Sequence, residues 1–440
     1  MKFYLVFVIF FIIGVLRVHG QSDSIRLSLS ELIDMALKKN PSVQIMHNNI
    51  TQAGNNYSLQ PFLPQVDAIA RYNLSHTDSK RIFQDSEQEF PNTYSENMGV
   101  GVSLSWRIFD GLGMFASFKH SRLNVSVEEV EKRRVVEALV VDLSETYYRI
   151  VVQQHRVEAA KQLMNLSRER FRIITEQVNI GSASGMDLHQ ARLDLNADSS
   201  YLVRQNEILH NAYIEINQLI NQPLRRMNFI SDTIFLGSLL VEDDLILMVE
   251  ENNSALISEE LGVAMSSQEL KMAKAQRFPI IDFVTGYNYS RAETPASVMQ
   301  FSEANGYNYG LEASLNIFNG FEVGRTVKNN KLEIQNRKLS YEETYLMVMG
   351  ELHSLYATYL NNLMMVDFEK QNVAVALANL DLALERYELG VLSGLGFREF
   401  QLGYINATDR FLDGLYQSKV LELSLLVLSG QMDEFMIRIN

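Results

Sequence analysis

The chain has 440 residues, with 39 Lys plus Arg against 53 Asp plus Glu, for a net charge of −14. That acidity excludes a nucleic-acid binder, whose phosphates call for a basic surface, and it suits a pore that favours cations. No cysteine is present, which excludes disulfides, thiolate metal sites, cysteine nucleophiles and a lipid-modified N-terminal cysteine.

Residues 1–20 read as a secretory signal: Lys2 supplies the positive start, Phe3 to Leu16 is apolar, and Val18-His-Gly20 precedes Gln21. The run is too short to span a bilayer comfortably as a helix. No later stretch reaches the roughly 18 consecutive apolar residues of a membrane helix. An exported chain of this kind is soluble in the periplasm, secreted, or a β-barrel, whose alternating strands escape a hydropathy scan. Next, Ser30 is the expected N-cap of a helix beginning at Glu31. A second helix, about 42–60, follows Asn40-Pro41 and stops at Pro61-Phe-Leu-Pro64, because a residue preceding proline avoids the helical region.

After Pro64 the apolar period changes from 3.6 to 2. Val66, Ala68, Ala70, Tyr72 and Leu74 alternate with mostly polar neighbours. A polar stretch over about 76–96 predicts a loop. The alternation then returns with Met98, Val100, Val102, Leu104, Trp106 and Ile108 on one face and Gly99, Gly101, Ser103, Ser105 and Arg107 on the other. Two further strands follow Pro279. One carries Ile281, Phe283, Thr285, Tyr287 and Tyr289; the other carries Tyr307, Tyr309, Leu311, Ala313, Leu315 and Ile317, after a loop at about 291–304. The four expected strands cover about 65–76, 97–109, 280–290 and 305–318, near the roughly 9–11 residues of a tilted membrane strand. A soluble two-sheet domain is the alternative. It is disfavoured because only two hairpins exist, and because the second face is polar or glycine, as a water-filled lumen requires. Four strands close too narrow a barrel for a lumen, so the barrel would be shared between protomers.

From Met114 to Ile180 there is neither proline nor glycine, enough for a helix of about 100 Å. Arg325 to Leu389 is interrupted only by Gly350. The second stretch shows a coiled-coil seam at Leu352, Leu355, Tyr359, Leu363, Val366, Lys370, Val373, Leu377, Leu380, Leu384 and Tyr387. Each long segment ends in a Gly/Ser turn, Gly181-Ser-Ala-Ser184-Gly185-Met-Asp187 and Gly390-Val-Leu-Ser393-Gly394-Leu-Gly396, and the chain returns as a helix over about 187–221 and 396–436. Short connections favour antiparallel neighbours, so each turn is the tip of a helical hairpin.

The chain is an internal duplication. Placing Gly181 on Gly390 also places Gly101 on Gly310, Phe109-Asp-Gly111 on Phe318-Asn-Gly320, and Lys161 on Lys370. The expected organisation is a signal over 1–20, a first repeat over 21–221, a linker over 222–243 and a second repeat over 244–440. Asn228-Phe-Ile and Thr233-Ile-Phe-Leu in the linker suggest short strands beside the long helices. The fold class is α+β and rich in helix: long antiparallel coiled-coil hairpins joined to a transmembrane β-barrel, the hairpins forming a helical barrel in the family resemblance described below.

Enzyme readings find no support. The eight histidines form no HxxxH or HExxH pair, and GxSxG and phosphate-binding glycine loops are absent. No catalytic, cofactor or metal residue is assigned. Met364-Met365 and the 18 methionines raise a copper route, but core packing explains them more simply.

The whole arrangement resembles the TolC-like outer-membrane efflux proteins of Gram-negative bacteria. It does so in the duplication, the prolines before the first strands (Pro64, Pro279), the strand ends Phe109-Asp-Gly111 and Phe318-Asn-Gly320, and the tip glycines Gly181 and Gly390. The resemblance implies a homotrimer in the outer membrane, with a 12-stranded barrel above an α-helical tunnel crossing the periplasm. Its function would be passive export for a tripartite efflux pump or type I secretion system, docked to a periplasmic adaptor and through it to an inner-membrane pump. By position, the adaptor would meet Gly181, Ser184, Gly185, Gly390, Ser393 and Gly394. Asp187 and Tyr387 would belong to the pore gate and Glu399 to an acidic ring. Val100, Val102, Leu104, Trp106, Tyr307, Tyr309 and Leu311 would face lipid. The family's gate arginine is replaced here by Leu392 and its first ring aspartate by Gly396, so the latch would be rewired, with Asp187 pairing with Tyr387, with Arg398 or with neither. Asp187 also fits a helix N-terminal acid. An extended periplasmic or secreted tether without a pore is the second reading. It predicts that the apolar strand face is buried against protein.

Overall fold

The computed structural model describes residues 27–83, 86–224, 230, 233–295 and 299–439. The signal expected over 1–20 and the Asn228-Phe229 part of the linker lie outside the described residues. Helix α1 (Leu29–Lys39) is capped by Ser28, not by the expected Ser30. The reason is a capping box: Glu31 N donates to Ser28 Oγ, and Ser28 N donates to the Glu31 carboxylate. Helix α2 (Pro41–Asn56) begins on a proline that needs no N–H there, with Asn40 accepting from Ser42 N.

Strands β1 (Gln65–Phe83), β2 (Ser86–Phe109), β3 (Ile280–Glu293) and β4 (Phe301–Ser314) form one antiparallel sheet in the order β1-β2-β3-β4. The first hairpin is longer than the sequence suggested. The stretch expected as a loop over about 76–96 continues as paired strand, with Lys80 opposite Glu89 and Thr77 opposite Thr93. Polar cross-strand pairs suffice to hold a hairpin that has no apolar period. Pro91, which cannot donate to a ladder, falls in the register break beside Thr77 and Ser79. In the second hairpin β4 ends at Ser314, so residues 315–318 leave the sheet earlier than expected.

The repeat reappears as matched lengths. Helices α3 (Gly113–Asn179) and α7 (Glu322–Glu388) have 67 residues each, and α4 (Gly185–Leu219) and α8 (Gly394–Leu428) have 35 each. Helix α3 packs on α4 and α7 on α8, while α6 (Ser254–Ala275), which follows α5 (Glu242–Asn252), lies against both α3 and α7. The expected seam of α7 is its inward face. Leu352, Tyr359 and Val366 are buried, whereas Lys370 and Leu377 are exposed. Met364 and Met365, expected in a core, are instead more than half exposed at 58% and 55%. They sit beside the seam rather than on it.

Left-handed backbone occurs at matching places in both copies: Gly111–Leu112 with Gly320–Phe321, Gly181 with Gly390, and Asn221 with Gly430. Gly181 and Gly390 end α3 and α7 in the same way, with Ser182 N reaching Gln177 O (2.8 Å) and Val391 N reaching Arg386 O (2.9 Å). Leu112 (φ 69°) and Phe321 (φ 64°) hold a conformation that costs a residue with a Cβ roughly 1–2 kcal/mol.

The apolar core lies at mid-height, where α1, the middle of α3, the ends of α4 and α8, and α9 (Met432–Ile439) bring together Leu32, Leu143, Tyr147, Ile216, Leu425 and Phe435. Within it sits a buried charge cluster. Glu422, fully buried, accepts from Lys419 Nζ (3.1 Å) and Arg438 Nη1 (2.7 Å). The expected strand at Thr233–Leu236 does not form, because the chain beside it is held by that cluster. Gly237 N donates to Glu422 Oε2 and Arg438 Nη1 donates to Ser238 O. A Cβ on Gly237 would lie 2.3 Å from the Glu422 carboxylate, so a side chain there would have to push the carboxylate or the Arg438 guanidinium aside.

Candidate functional site

The residues expected to function lie in two regions: the sheet and the hairpin tips. Register puts Ala68, Val102, Tyr287 and Tyr307 in one row across the sheet, and Trp106, Phe283 and Leu311 in another. Directly opposed residues share a face, so Val100, Val102, Leu104, Trp106, Tyr307, Tyr309 and Leu311 all stand on the same side. All are exposed in the protomer except Leu104, which is half-buried. The other side carries Gly101–Asn288–Gly306, Ser103–Gly286–Asn308 and Arg107–Asp282–Glu312. Arg107 Nε binds Asp282 Oδ1 at 3.2 Å. This polar side opens at its base into a cavity of about 1020 Å³ that includes Arg107, Asp110, Asp282 and Asn319. Both edges of the sheet, β1 and β4, lack a partner strand among the described residues.

At the first tip, Ser184 and Asp187 form a second capping box. Asp187 N donates to Ser184 Oγ (3.2 Å), while Ser184 N (3.1 Å) and Ser184 Oγ (2.7 Å) donate to the Asp187 carboxylate. The Ser184 hydroxyl, the Ser184 N–H and the nearby Arg170 hold the Asp187 carboxyl below its ordinary range. At the second tip Ser393 accepts from Gly396 N (3.2 Å); with glycine at that position, no reciprocal carboxylate exists. Gly181, Gly185 and Gly390 face open space, and Ser184 and Ser393 are exposed. Gly394 differs: a Cβ there would lie 2.9 Å from Arg170 Nη2, so α8 approaches α3 closely at this point.

No hydrogen bond joins Asp187 to Tyr387 or to Arg398 among the described residues. Tyr387 lies flat on the buried Phe397, with ring centroids 5.1 Å apart and planes at 14°. Burial raises its phenol pKa, and the adjacent Arg170 cation works against that rise. Arg398 turns instead to Asp198 in a bidentate pair, Nη1 to Oδ2 and Nη2 to Oδ1, each 2.7 Å. Ser167 Oγ also donates to Asp198, and Arg170 Nη1 donates to Asp194 Oδ2 at 2.7 Å. Further up, Arg156 binds Asp409 (3.3 Å) and Asp413 (2.5 Å). The two hairpins are thus joined by charge pairs running from α3 and α4 to α8. Glu399 is exposed on α8 and makes no ion pair among the described residues.

Sequence reasoning missed Arg170, Asp194 and Asp198. Their signal was present: Ala191, Asp194, Asp198 and Gln205 follow helical spacing on the buried side of α4, so two acids stand where apolar residues were due. A second missed pattern is a heptad stripe of exposed residues on α7, Leu332, Leu339 and Leu346, then Phe368, Val375 and Leu382, continued by Leu389 at its C-cap. No helix among the described residues is long and apolar enough to cross a membrane.

The family model described as outer membrane efflux protein matches residues 32–222 and 245–431, one segment in each repeat. No curated protein sequence matches the chain. Among solved structures, the CmeC outer membrane channel of Campylobacter jejuni superposes with a TM-score of 0.78 at 16% identity, covering 94% of this chain and 89% of that one. The outer membrane protein VceC of Vibrio cholerae gives 0.75 at 15%, covering 91% and 96%. The open state of the Neisseria gonorrhoeae MtrE channel gives 0.72 at 16%, covering 92% and 89%.

Proposed function

This chain belongs to the outer membrane efflux protein family, and we propose that it is the passive exit duct of a tripartite efflux or type I secretion assembly, working as a homotrimer. It is an outer-membrane efflux channel; the family is one of transport rather than catalysis. The observation that carries the proposed architecture is the sheet: four strands with an exposed apolar face, a polar and glycine face, and two edges unpaired among the described residues. Strand edges of neighbouring copies would close a barrel with lipid outside and water inside. The exposed heptad stripe on α7 supports the same assembly, since such a stripe calls for a helix from another copy. A tether without a pore would bury the apolar strand face against protein, and the protomer leaves it exposed.

The tips are the gate. An adaptor docks on Gly181–Gly185 and Gly390–Gly394, and the tips open as the hairpins separate. Asp187 fixes the first turn through its capping box. Tyr387 braces the second against Phe397, and Arg398–Asp198 ties the two hairpins together. Glu399, exposed beside that tie, adds negative charge on the path and favours cations. Energy comes from an inner-membrane pump reached through the adaptor, and no cofactor is required.

Single-channel recording of the purified trimer in a planar bilayer tests this reading. The expected result is cation-selective steps that are severalfold larger in Arg398→Ala. Steps unchanged in that variant would retire the latch but keep the duct. A soluble, elongated species that never inserts would overturn the duct.

A further inference from the structure

The strand-to-helix junctions contain a feature that the duct does not need. Leu112 and Phe321 occupy equivalent places in the two repeats, and each takes a left-handed backbone as the cap residue of a 67-residue helix. Asparagine or glycine would sit there without strain and would suit the cap. Both side chains are also well exposed, 61% and 75%, and the ring that Phe321 meets edge-on, Phe318 at 5.3 Å, is itself 70% exposed, so burial within the protomer does not explain them. Strain repeated at one place in both copies, and spent on an exposed apolar group, points to a contact outside the chain.

Charge identifies that contact. Lys119 and Lys328 follow Leu112 and Phe321 by the same interval in each copy, two turns down the same helix face. That puts a cation about 10 Å below each apolar side chain, on the side of the helical hairpins. At the first junction the arrangement widens into a cleft of about 360 Å³, lined by Leu112, Phe115 and Phe278 together with Lys119, Lys271 and Lys274. Lys119 and Lys274 are exposed and make no ion pair among the described residues, in a chain whose net charge is −14. The cleft shares Ala275 and Phe278 with the cavity beneath the polar sheet face but none of that cavity's Arg107, Asp110 and Asp282. Its lining therefore excludes the charged groups of the polar sheet face. Its apolar part continues the outer face of the sheet, where Trp106 Nε1 is bound to Phe62 O at 2.9 Å and Phe62 contacts Phe115 at 5.1 Å.

We propose that each junction binds a phospholipid of the periplasmic leaflet. The acyl chain would lie on Leu112 or Phe321, and the headgroup phosphate would be held by the lysines below, with the fuller site at Lys119, Lys271 and Lys274. An apolar wedge above and a long cationic side chain below match the boundary between hydrocarbon and headgroup. The proposal rests on the reading that the apolar sheet face meets lipid.

The chain has no cysteine and one tryptophan, Trp106, so a single introduced thiol and the native indole can be read separately. Leu112→Cys and Phe321→Cys, each labelled with bimane, would be reconstituted into vesicles of phosphatidylcholine with a minority of phosphatidylglycerol, bromine being on the acyl chains of one lipid at a time. The bimane should be quenched by brominated phosphatidylglycerol and protected from aqueous iodide. The preference for that lipid should be about fivefold for each lysine engaged. It should fall in Lys119→Gln/Lys271→Gln/Lys274→Gln at the first junction and in Lys328→Gln at the second. Quenching by iodide, quenching by neither reagent, or equal quenching by both lipids would overturn the proposal. So would loss of the preference on adding millimolar inorganic phosphate, which would mark the site as one for free anions. Trp106 keeps the two levels apart. If brominated lipid quenches Trp106 but not the label, the lipid site fails alone; if it quenches neither, the sheet reading fails first.

Discussion

The mid-height core and the hairpin tips both bury charge, and they bury it differently. At mid-height Glu422 is fully enclosed and divided between Lys419 and Arg438, all contributed by α8 and α9. At the tips Asp198 is nearly as buried, yet its partner Arg398 belongs to the other hairpin and sits one turn above an exposed glycine turn. Removing one member of an enclosed cluster strands charge in a low-dielectric site, whereas Arg398, whose side chain is 14% exposed, keeps access to water when its partner is lost. A charge cluster within one packed layer locks it, whereas a charge pair between two separable hairpins can serve as a latch.

The largest expected break is Glu422→Gln. It leaves the buried Lys419 without its counter-charge and Arg438 with Glu434 alone, and unfolding measured in detergent should lose about 3–5 kcal/mol. Conductance of the molecules that survive should be unchanged. Asp198→Asn sharpens the contrast. It weakens a charge-assisted pair and should lower stability less, by about 1.5–3 kcal/mol, while conductance and the rate of proteolysis at the tip turns both rise. If Asp198→Asn were as destabilising as Glu422→Gln and left conductance alone, the latch would be an ordinary core contact.

Gly237→Ala tests the mid-height cluster sterically. Its Cβ would meet the Glu422 carboxylate and the Arg438 guanidinium, and a loss of about 1–3 kcal/mol is expected from the melting temperature. The smallest effect is at Asp187. Its folded carboxyl titrates below its ordinary value, so its stabilising contribution is present above the unfolded pKa, near 3.8, and is lost as pH falls through the lower folded value. Ser184→Ala should move the Asp187 titration, followed by NMR, back up toward that ordinary value and fray the start of α4. No comparable shift should follow Ser393→Ala, since Gly396 has no carboxylate to titrate.

Much of the fold was legible because two periods alternate along the chain. Strict alternation at Val100–Trp106 and Tyr307–Leu311 gave the sheet and its faces, and unbroken helical spacing between glycine turns gave the hairpins. The first hairpin's polar half was not legible: Lys80 opposite Glu89 is stabilised by cross-strand pairing, which carries no apolar period. Nor was the latch. Arg398 and Asp198 lie in different repeats, and their pairing depends on how α8 packs against α3 and α4. The Asp187 box was half legible, since Ser-x-x-Asp fits a cap, but the spacing alone could not choose between cap and gate.

The equal lengths of α3 and α7, and of α4 and α8, make the protein a gauge as well as a duct. Four arms must end level for two turns to form one rim. A heptad added to a single arm would push one turn about 10 Å out of line and slide its charged partners out of register. Reach can therefore change only by equal insertions in all four arms, in whole heptads that return each seam residue to its face. Engineering a longer or shorter member is a problem of synchronised edits, and a single insertion or deletion within any arm should be among the least tolerated changes in the chain.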